Sequence, residues 1–335
     1  VSVFHIKYRP SKIADLDSAQ ARDTLNRIFE SKDTPQSFLF CGPKGSGKTS
    51  AARIVAKIVN CKKPKGGEAC GKCDNCQIIE AGGIGLDVME MDAASNRGID
   101  DVRVLKEKIF LSPVKLTSKV FVIDEVHMLT KEAFNALLKI LEEPPKNVYF
   151  VLCTTNPEKI PETVLSRLVR VDFRKGTIAE VVGSLKKVIK GEEIKLGKNE
   201  EIILEEIASL SEGSFRNAQK ILMELVMDKG NKIDKKEWQK FRELKFSSGA
   251  YDGMMMEKDL ATGSIKAILG QLEELAKSGV DMSLYRARLI EYFQKGLVSF
   301  YSKQDKPDLG LRQLSYFLKL LIQAGREEKE AVLSQ

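Results

Sequence analysis

Five short apolar runs punctuate the first half of the chain, at residues 37–41, 87–91, 120–124, 148–153 and 169–173. Segments of helical period separate them. Between the second and third runs, DDVRVLKEKIF at 100–110 puts Val102, Leu105, Ile109 and Phe110 on one helical stripe. Residues 134–141 repeat the pattern with Leu137, Leu138 and Leu141, until Pro144 and Pro145 stop it. Short apolar strands alternating with amphipathic helices predict an α/β fold, a parallel sheet covered by helices.

After Phe173 the strand-like runs cease and helical periodicity takes over. Turn signals fall near Lys175-Gly176, Gly191, Gly197, Gly213 and Gly230, and the loosely patterned FSSGAYDGMMM at 246–256 reads as an interdomain linker. Three blocks are expected: an α/β domain over 1–176, a small helical domain over 177–243, and a second helical domain over 255–335. In the last, 265–275, 284–300 and 311–322 are amphipathic, with apolar faces suited either to an internal core or to another subunit.

With 335 residues, 43% of them hydrophobic, the chain is long enough for two or three cores. No run approaches the roughly 18 consecutive apolar residues of a membrane span, and the opening VSVFHIKYRP lacks the apolar centre of a secretory signal. The cytoplasm is the expected compartment, with no membrane partner. A net charge of +7 is compatible with a polyanionic partner, yet 54 basic against 47 acidic residues is chiefly a mixed, solvated surface.

GPKGSGKT at 42–49 follows the first apolar run and precedes a helical pattern beginning Ser50, Ala51, Ala52. Strand, glycine-rich loop and helix come in the order that nucleoside triphosphate binding requires. Gly42, Gly45 and Gly47 let the backbone around Pro43, Lys44 and Ser46 aim N–H groups at one anion, and the helix start adds its positive dipole end. Lys48 is then the β,γ-phosphate ligand, and Thr49 a magnesium ligand. Such a loop needs an apolar strand ending in acids. VFVIDE at 120–125 supplies it, with Asp124 for the Mg²⁺ shell and Glu125 to polarise the attacking water.

Four of six cysteines, Cys61, Cys70, Cys73 and Cys76, fall within sixteen residues as C-x8-C-x2-C-x2-C. In a cytosolic chain this favours metal over disulfides. Four thiolates suit a closed, structural Zn²⁺ site. A redox pair would leave two cysteines unexplained, and an iron–sulfur cluster would lack an evident electron-transfer partner. Cys41 and Cys153, inside apolar runs, read as core.

Together these residues resemble the gamma/tau family of bacterial DNA polymerase III, the AAA+ ATPase subunits of the sliding-clamp loader. The likeness runs through YRP at Tyr8, Arg9 and Pro10, the phosphate loop, the cysteine insertion, DEVHML at 124–129, LLKILEEPP at 137–145, CTTNPEKIPETVLSR at 153–167 and EGSFRNA at 212–218. The resemblance implies an AAA+ P-loop core, a helical lid and a helical C-terminal collar. It further implies that Tyr8, Arg9, Pro10 and Ser50 join the ATP-binding set. Thr155 takes the sensor position near the γ phosphate, Arg216 the second sensor, and Arg167 an arginine finger toward a neighbouring subunit. The family usually has Cys where Leu168 stands and Asp where Asn217 stands, and Asp17-Ser18-Ala19-Gln20 departs from its usual Val-Gly-Gln.

The implied partners are delta-type and delta-prime-type subunits, copies of the chain itself, the sliding clamp and primer-template DNA. Ser95, Asn96, Arg97 and Lys131 are the candidate DNA-backbone contacts. The rival readings are a non-hydrolysing interaction subunit of the same loader and an AAA+ DNA helicase motor. Intact Lys48, Thr49, Asp124 and Glu125 argue against the first, and the cysteine insertion against the second.

Overall fold

Every residue of Ser37–Cys41, strand β1, is buried, because β1 lies inside a parallel sheet with helices on both faces. The computed structural model describes residues 3–31, 33–81, 87–246, 253–277, 282–302 and 308–333. The other strands are β2 (Val88–Asp92), β3 (Lys119–Asp124), β4 (Val148–Thr154) and β5 (Val169–Asp172), in the order β2-β3-β4-β1-β5. All four pairings are parallel. Successive side chains go to opposite faces. Phe38, Phe40, Val120 and Val122 meet the helix Lys48–Asn60 on one face, whereas Leu39, Cys41, Phe121 and Ile123 meet Ile99–Ile109 and Lys131–Glu142 on the other.

Strand order decides where chemistry collects. The chain leaves β1 for the far edge at β2, returns through β3 and β4, then passes β1 to reach β5. Loops at the C-terminal ends of the strands therefore diverge around β1, the position where parallel α/β sheets bind ligands.

One expectation needs correction. Phe110 is 66% exposed, because the helix carrying Val102, Leu105 and Ile109 ends at Ile109, so the next side chain leaves the stripe. The turn expected near Gly191 comes just after it, at Glu193 with φ 54°, and the glycine itself lies inside the helix Ile178–Glu192. A Cβ there would meet the Tyr8 Oη at 2.2 Å, so the glycine makes room for the tyrosine ring.

The chain divides into two compact units, Val1–Lys235 and Lys236–Gln335. The first holds the sheet and the helices Ile178–Glu192, Glu200–Leu210 and Phe215–Lys229. Thr177 opens this helical part with a reciprocal cap: its Oγ1 accepts the Glu180 N–H at 3.3 Å, and Glu180 Oε2 accepts the Thr177 N–H at 2.9 Å. The second unit carries the helices Gly253–Thr262, Ile265–Lys277, Met282–Ser302 and Leu311–Leu333. Met256, Leu275, Tyr285 and Leu289 form one of its cores. Ile265, Leu269, Val298 and Tyr316 stay outside, each more than half exposed. Of the expected linker, 247–252 lie outside the described residues, while its ends belong to helices Lys235–Phe246 and Gly253–Thr262.

Candidate nucleotide site

The loop after β1 is folded back on itself from within. Ser46 Oγ donates to the Pro43 carbonyl at 2.8 Å, and Lys48 Nζ donates to the carbonyls of Gly42 at 2.7 Å and Pro43 at 3.0 Å. Gly45 has φ +79°, and a Cβ on it would lie 2.2 Å from Ser214 Oγ. Only glycine lets the loop pass that close to the start of the helix Phe215–Lys229. The helix Lys48–Asn60 starts on Gly47, which has no side chain to cap it, leaving first-turn N–H groups for another acceptor. Lys48 is 6% exposed, and burial pulls its pKa down.

A cavity of about 320 Å³ opens on this loop, where Lys44, Gly45, Gly47, Lys48, Thr49 and Ser50 face Asp92, Ala94, Asp124, Glu125 and Arg216. Thr49 Oγ1 donates to Asp124 Oδ2 at 2.9 Å, bringing the two expected magnesium ligands together. Glu125 adopts a left-handed conformation at φ 47°, at a cost of about 1–2 kcal/mol for a residue with a Cβ. Such strain concentrates at functional positions. Thr155 Oγ1 holds the Glu125 carboxylate, donating to Oε2 at 3.0 Å.

Two neighbours of this carboxylate centre escaped the motif reading. Asp92 ends β2 in register with Asp124. An acidic residue at the end of an apolar run was the available signal. His127, its side chain 8% exposed, places Nδ1 2.9 Å from Thr154 Oγ1 and 3.4 Å from Glu125 Oε2. No spacing rule pointed to it.

A second cavity lies across the loop, where Tyr8, Arg9, Pro10, Leu16 and Asp17 face Gly45, Ser46, Gly47 and Ser50. Phe215, Arg216 and Gln219 close it. His5, also on this wall and also missed from sequence, has a buried Nδ1 without a hydrogen-bond partner. Burial, then the charges of Arg216 and Arg9, lower its pKa, which favours the neutral ring. Arg9 is likewise pushed down by burial and then by Arg53. Tyr8 is anchored on this wall by its Oη, which donates to Glu192 Oε1 at 2.8 Å. Arg216 borders both cavities and has no carboxylate partner among the described residues. The set pairs cationic and N–H donors with a hydroxyl–carboxylate pair and a slot whose mixed wall includes the apolar faces of Tyr8, Pro10, Leu16 and Phe215, which fits phosphates, a divalent cation and a base.

Arg167 stands apart. It lines neither cavity, pairs with Glu142 Oε1 at 3.1 Å and donates to the Thr163 carbonyl. Leu168 packs beside the core on the Ile99–Ile109 face, and the Asn217 N–H donates to Ser214 Oγ at 3.3 Å, a helix cap.

At the far end of the Lys48–Asn60 helix, the Sγ atoms of Cys61, Cys70, Cys73 and Cys76 all lie within 4.8 Å of one another. Cys73 and Cys76 are 3.5 Å apart, Cys70 and Cys76 4.0 Å. Four thiolates around zinc at about 2.3 Å would be spaced by roughly 3.8 Å, so the donors fit that ion. Backbone N–H groups already serve the sulfurs: Cys70 N donates to Cys61 Sγ at 3.2 Å, and those of Lys72 and Cys73 point at Cys70 Sγ. The latter two hold the Cys70 thiol down, to about 6. Cys41 and Cys153 are buried strand residues in the core.

A family model described as DNA polymerase III, delta subunit, matches residues 18–177, a stretch that includes the phosphate loop, the cysteine cluster and Asp124-Glu125. DNA polymerase III subunit tau of Bacillus subtilis is 38% identical over 295 residues, covering 87% of this chain and 51% of that protein. Subunit gamma/tau of Mycoplasma genitalium is 33% identical over 289 residues, covering 86% and 47% respectively. The chain thus spans about half the length of these curated relatives. Among solved structures, Thermotoga maritima RuvB superposes with a TM-score of 0.55 at 16% identity, over 90% of this chain and 99% of that one. That likeness shows the AAA+ fold alone. Since sequence likeness to gamma and tau subunits extends well beyond the phosphate loop that many nucleotide-binding proteins share, the chain belongs to the gamma/tau family of DNA polymerase III.

Proposed function

We propose that this chain is an ATP-hydrolysing subunit that drives loading of the ring-shaped sliding clamp onto primed DNA. The observation that carries hydrolysis is the Glu125 carboxylate, strained in its backbone, held by Thr155 and sharing one cavity with Lys48 and the Thr49–Asp124 pair. Lys48 and the first-turn N–H groups bind the β and γ phosphates. Thr49 and Asp124 hold Mg²⁺, which supplies charge neutralisation on the phosphates. Glu125 orients the attacking water and accepts its proton. Thr155 keeps that carboxylate aimed, Arg216 reaches the phosphates from the helix after Gly213, and Tyr8, Arg9 and Pro10 wall the base.

Arg167 lines neither cavity at the nucleotide site, which supports its acting as a finger on the nucleotide of an adjacent subunit, where a permanent planar charge suits the transition state. Working divisions are an AAA+ domain over 1–176, a lid over 177–243 and a collar over 255–335. The outward apolar residues Ile265, Leu269 and Tyr316 support a subunit-joining role for the last. Zn²⁺ at the four cysteines is structural, because four protein ligands leave no open position. Partners are delta-type and delta-prime-type subunits, further copies of the chain, the clamp and primer-template DNA, and the compartment is the cytoplasm. For DNA, the loop of Ser95, Asn96 and Arg97 is organised on the end of β2, with the Ser95 and Asn96 N–H groups donating to the Asp92 carbonyl. Lys131 begins the helix Lys131–Glu142, and the Thr130 N–H just before it donates to the Arg97 carbonyl at 3.1 Å.

The deciding experiment is ATP turnover of this chain assembled with delta-type and delta-prime-type subunits, with and without clamp and primed DNA, beside Arg167→Ala. Clamp and DNA are expected to stimulate turnover strongly. The variant should bind ATP normally and lose at least about a thousandfold of that rate if the finger acts between subunits. Absence of stimulation in a verified assembly would overturn the loader reading, and unwinding of a branched duplex would favour the helicase motor.

A further inference from the structure

The cysteine cluster and the base-side cavity are joined by one carboxylate. Glu68 sits two residues before Cys70, after the tight turn at Gly66-Gly67. Its Oε1 accepts the Ala14 N–H at 2.8 Å and its Oε2 accepts the Ile13 N–H at 3.1 Å. Both donors belong to the single 3-10 turn Ile13–Asp15, whose preceding residue, Lys12, supplies no cap of its own. Ile13 is fully buried, so without Glu68 its N–H would have no solvent to turn to. Glu68 pairs with no cation among the described residues, and both its oxygens are committed to backbone.

This turn shapes the base cavity. The Leu16 N–H closes onto the Ile13 carbonyl at 3.0 Å, and Leu16 and Asp17 form part of the cavity wall. The segment's other end is tied to the helix Ile178–Glu192: Asp17 accepts from Ser184 Oγ at 3.0 Å and Lys187 Nζ at 2.7 Å. Glu68 is itself fixed from the cysteine side. Its N–H and carbonyl exchange bonds with Lys65 at 3.1 and 3.0 Å, Ala69 is buried, and the Cys70 N–H donates to Cys61 Sγ at 3.2 Å.

We infer that the four-cysteine centre sets the affinity of the site for the nucleoside end of its ligand, with Glu68 as the positioning residue that transmits its order to the wall at Leu16 and Asp17. The inference rests on the proposed nucleotide site. It assigns the cysteine centre a task beyond holding its own loop. An intact centre keeps Glu68 capping the turn and the wall in its binding-competent form. Loss of either lets the competent form become a fraction of the population, and apparent affinity falls by that fraction.

Calorimetric titration of the full 335-residue chain with ATP and, separately, with inorganic tripolyphosphate separates base side from phosphate side. Glu68→Ala should bind ATP about fivefold more weakly, the size expected for losing a cap, with tripolyphosphate affinity and zinc content unchanged. Wild-type chain stripped of zinc with a chelator should show the same selective loss, and stripped Glu68→Ala no further loss, since two changes on one path do not add. Glu68→Gln keeps one acceptor and should fall between, which preserves the test if the alanine variant folds poorly. Unchanged ATP affinity in a folded Glu68→Ala chain, or equal losses for ATP and tripolyphosphate, would overturn the coupling. Failure of the wild-type chain to bind either ligand would instead overturn the nucleotide reading beneath it.

Discussion

One helix, Lys48–Asn60, carries two sites of opposite character at its ends. At its start, Gly47 offers no capping side chain, and donors of the first turn border a cavity of about 320 Å³ beside a buried lysine. At its end, the last residue is saturated by protein. Asn60, 1% exposed, accepts on Oδ1 from the Thr117 N–H, the Thr117 hydroxyl and the Ser118 N–H at 3.1, 3.0 and 2.8 Å. Its Nδ2 donates to the Ala56 carbonyl, its own carbonyl accepts from Asn75 Nδ2 at 2.8 Å, and Cys61 follows directly. An end that keeps its donors uncommitted is built for a ligand that comes and goes, whereas an end saturated from within is built to hold shape.

The contrast can be broken most directly at Lys48. Lys48→Ala should weaken tripolyphosphate and ATP binding by about a hundredfold or more, yet change thermal stability little, because relief of a charge disfavoured by burial offsets the two hydrogen bonds lost at the Gly42 and Pro43 carbonyls. A titration paired with a melting curve reads both, and a large drop in melting temperature would mean that this end too is structural. Asn60→Ala is the mirror experiment. Stripping the acceptor from two backbone N–H groups and a hydroxyl should cost about 3 kcal/mol in chemical denaturation, with tripolyphosphate affinity intact. The smallest effect should come from Gly67→Ala in the cysteine loop. There a left-handed φ of +75° and a Cβ 3.1 Å from the Phe29 carbonyl carbon predict a loss of about 1–2 kcal/mol in the same denaturation assay.

Much of the sheet was legible because buried parallel strands are written as nearly unbroken apolar runs. Ser37–Cys41 has the bounds that its run predicts. The second run shifts by one residue, to Val88–Asp92, for a reason invisible in sequence. Asp87 is 2% exposed and turns its carboxylate to the N–H groups of Val114, Lys115 and Leu116 at 2.8, 2.7 and 2.9 Å. The pairing of Thr49 with Asp124 was legible because each residue lies within a motif of known partner. His5, Asp92 and His127 were not, since a side chain's neighbours across a fold leave no mark on its own local pattern.

Periodicity and spacing alone determined the α/β class, the phosphate loop, the acidic strand end and the four-cysteine set, because each is carried by residues close together in the chain. Tertiary structure decided what those segments face. It set Thr155 against Glu125 across 30 residues, Glu68 against Ile13 across 55, and Tyr8 against Glu192 across 184, and it left Arg167 outside its own cavity. The strand order β2-β3-β4-β1-β5 accounts for the first of these, because Glu125 and Thr155 follow adjacent parallel strands, and packing between loops and helices accounts for the others; no local pattern records which segments will meet.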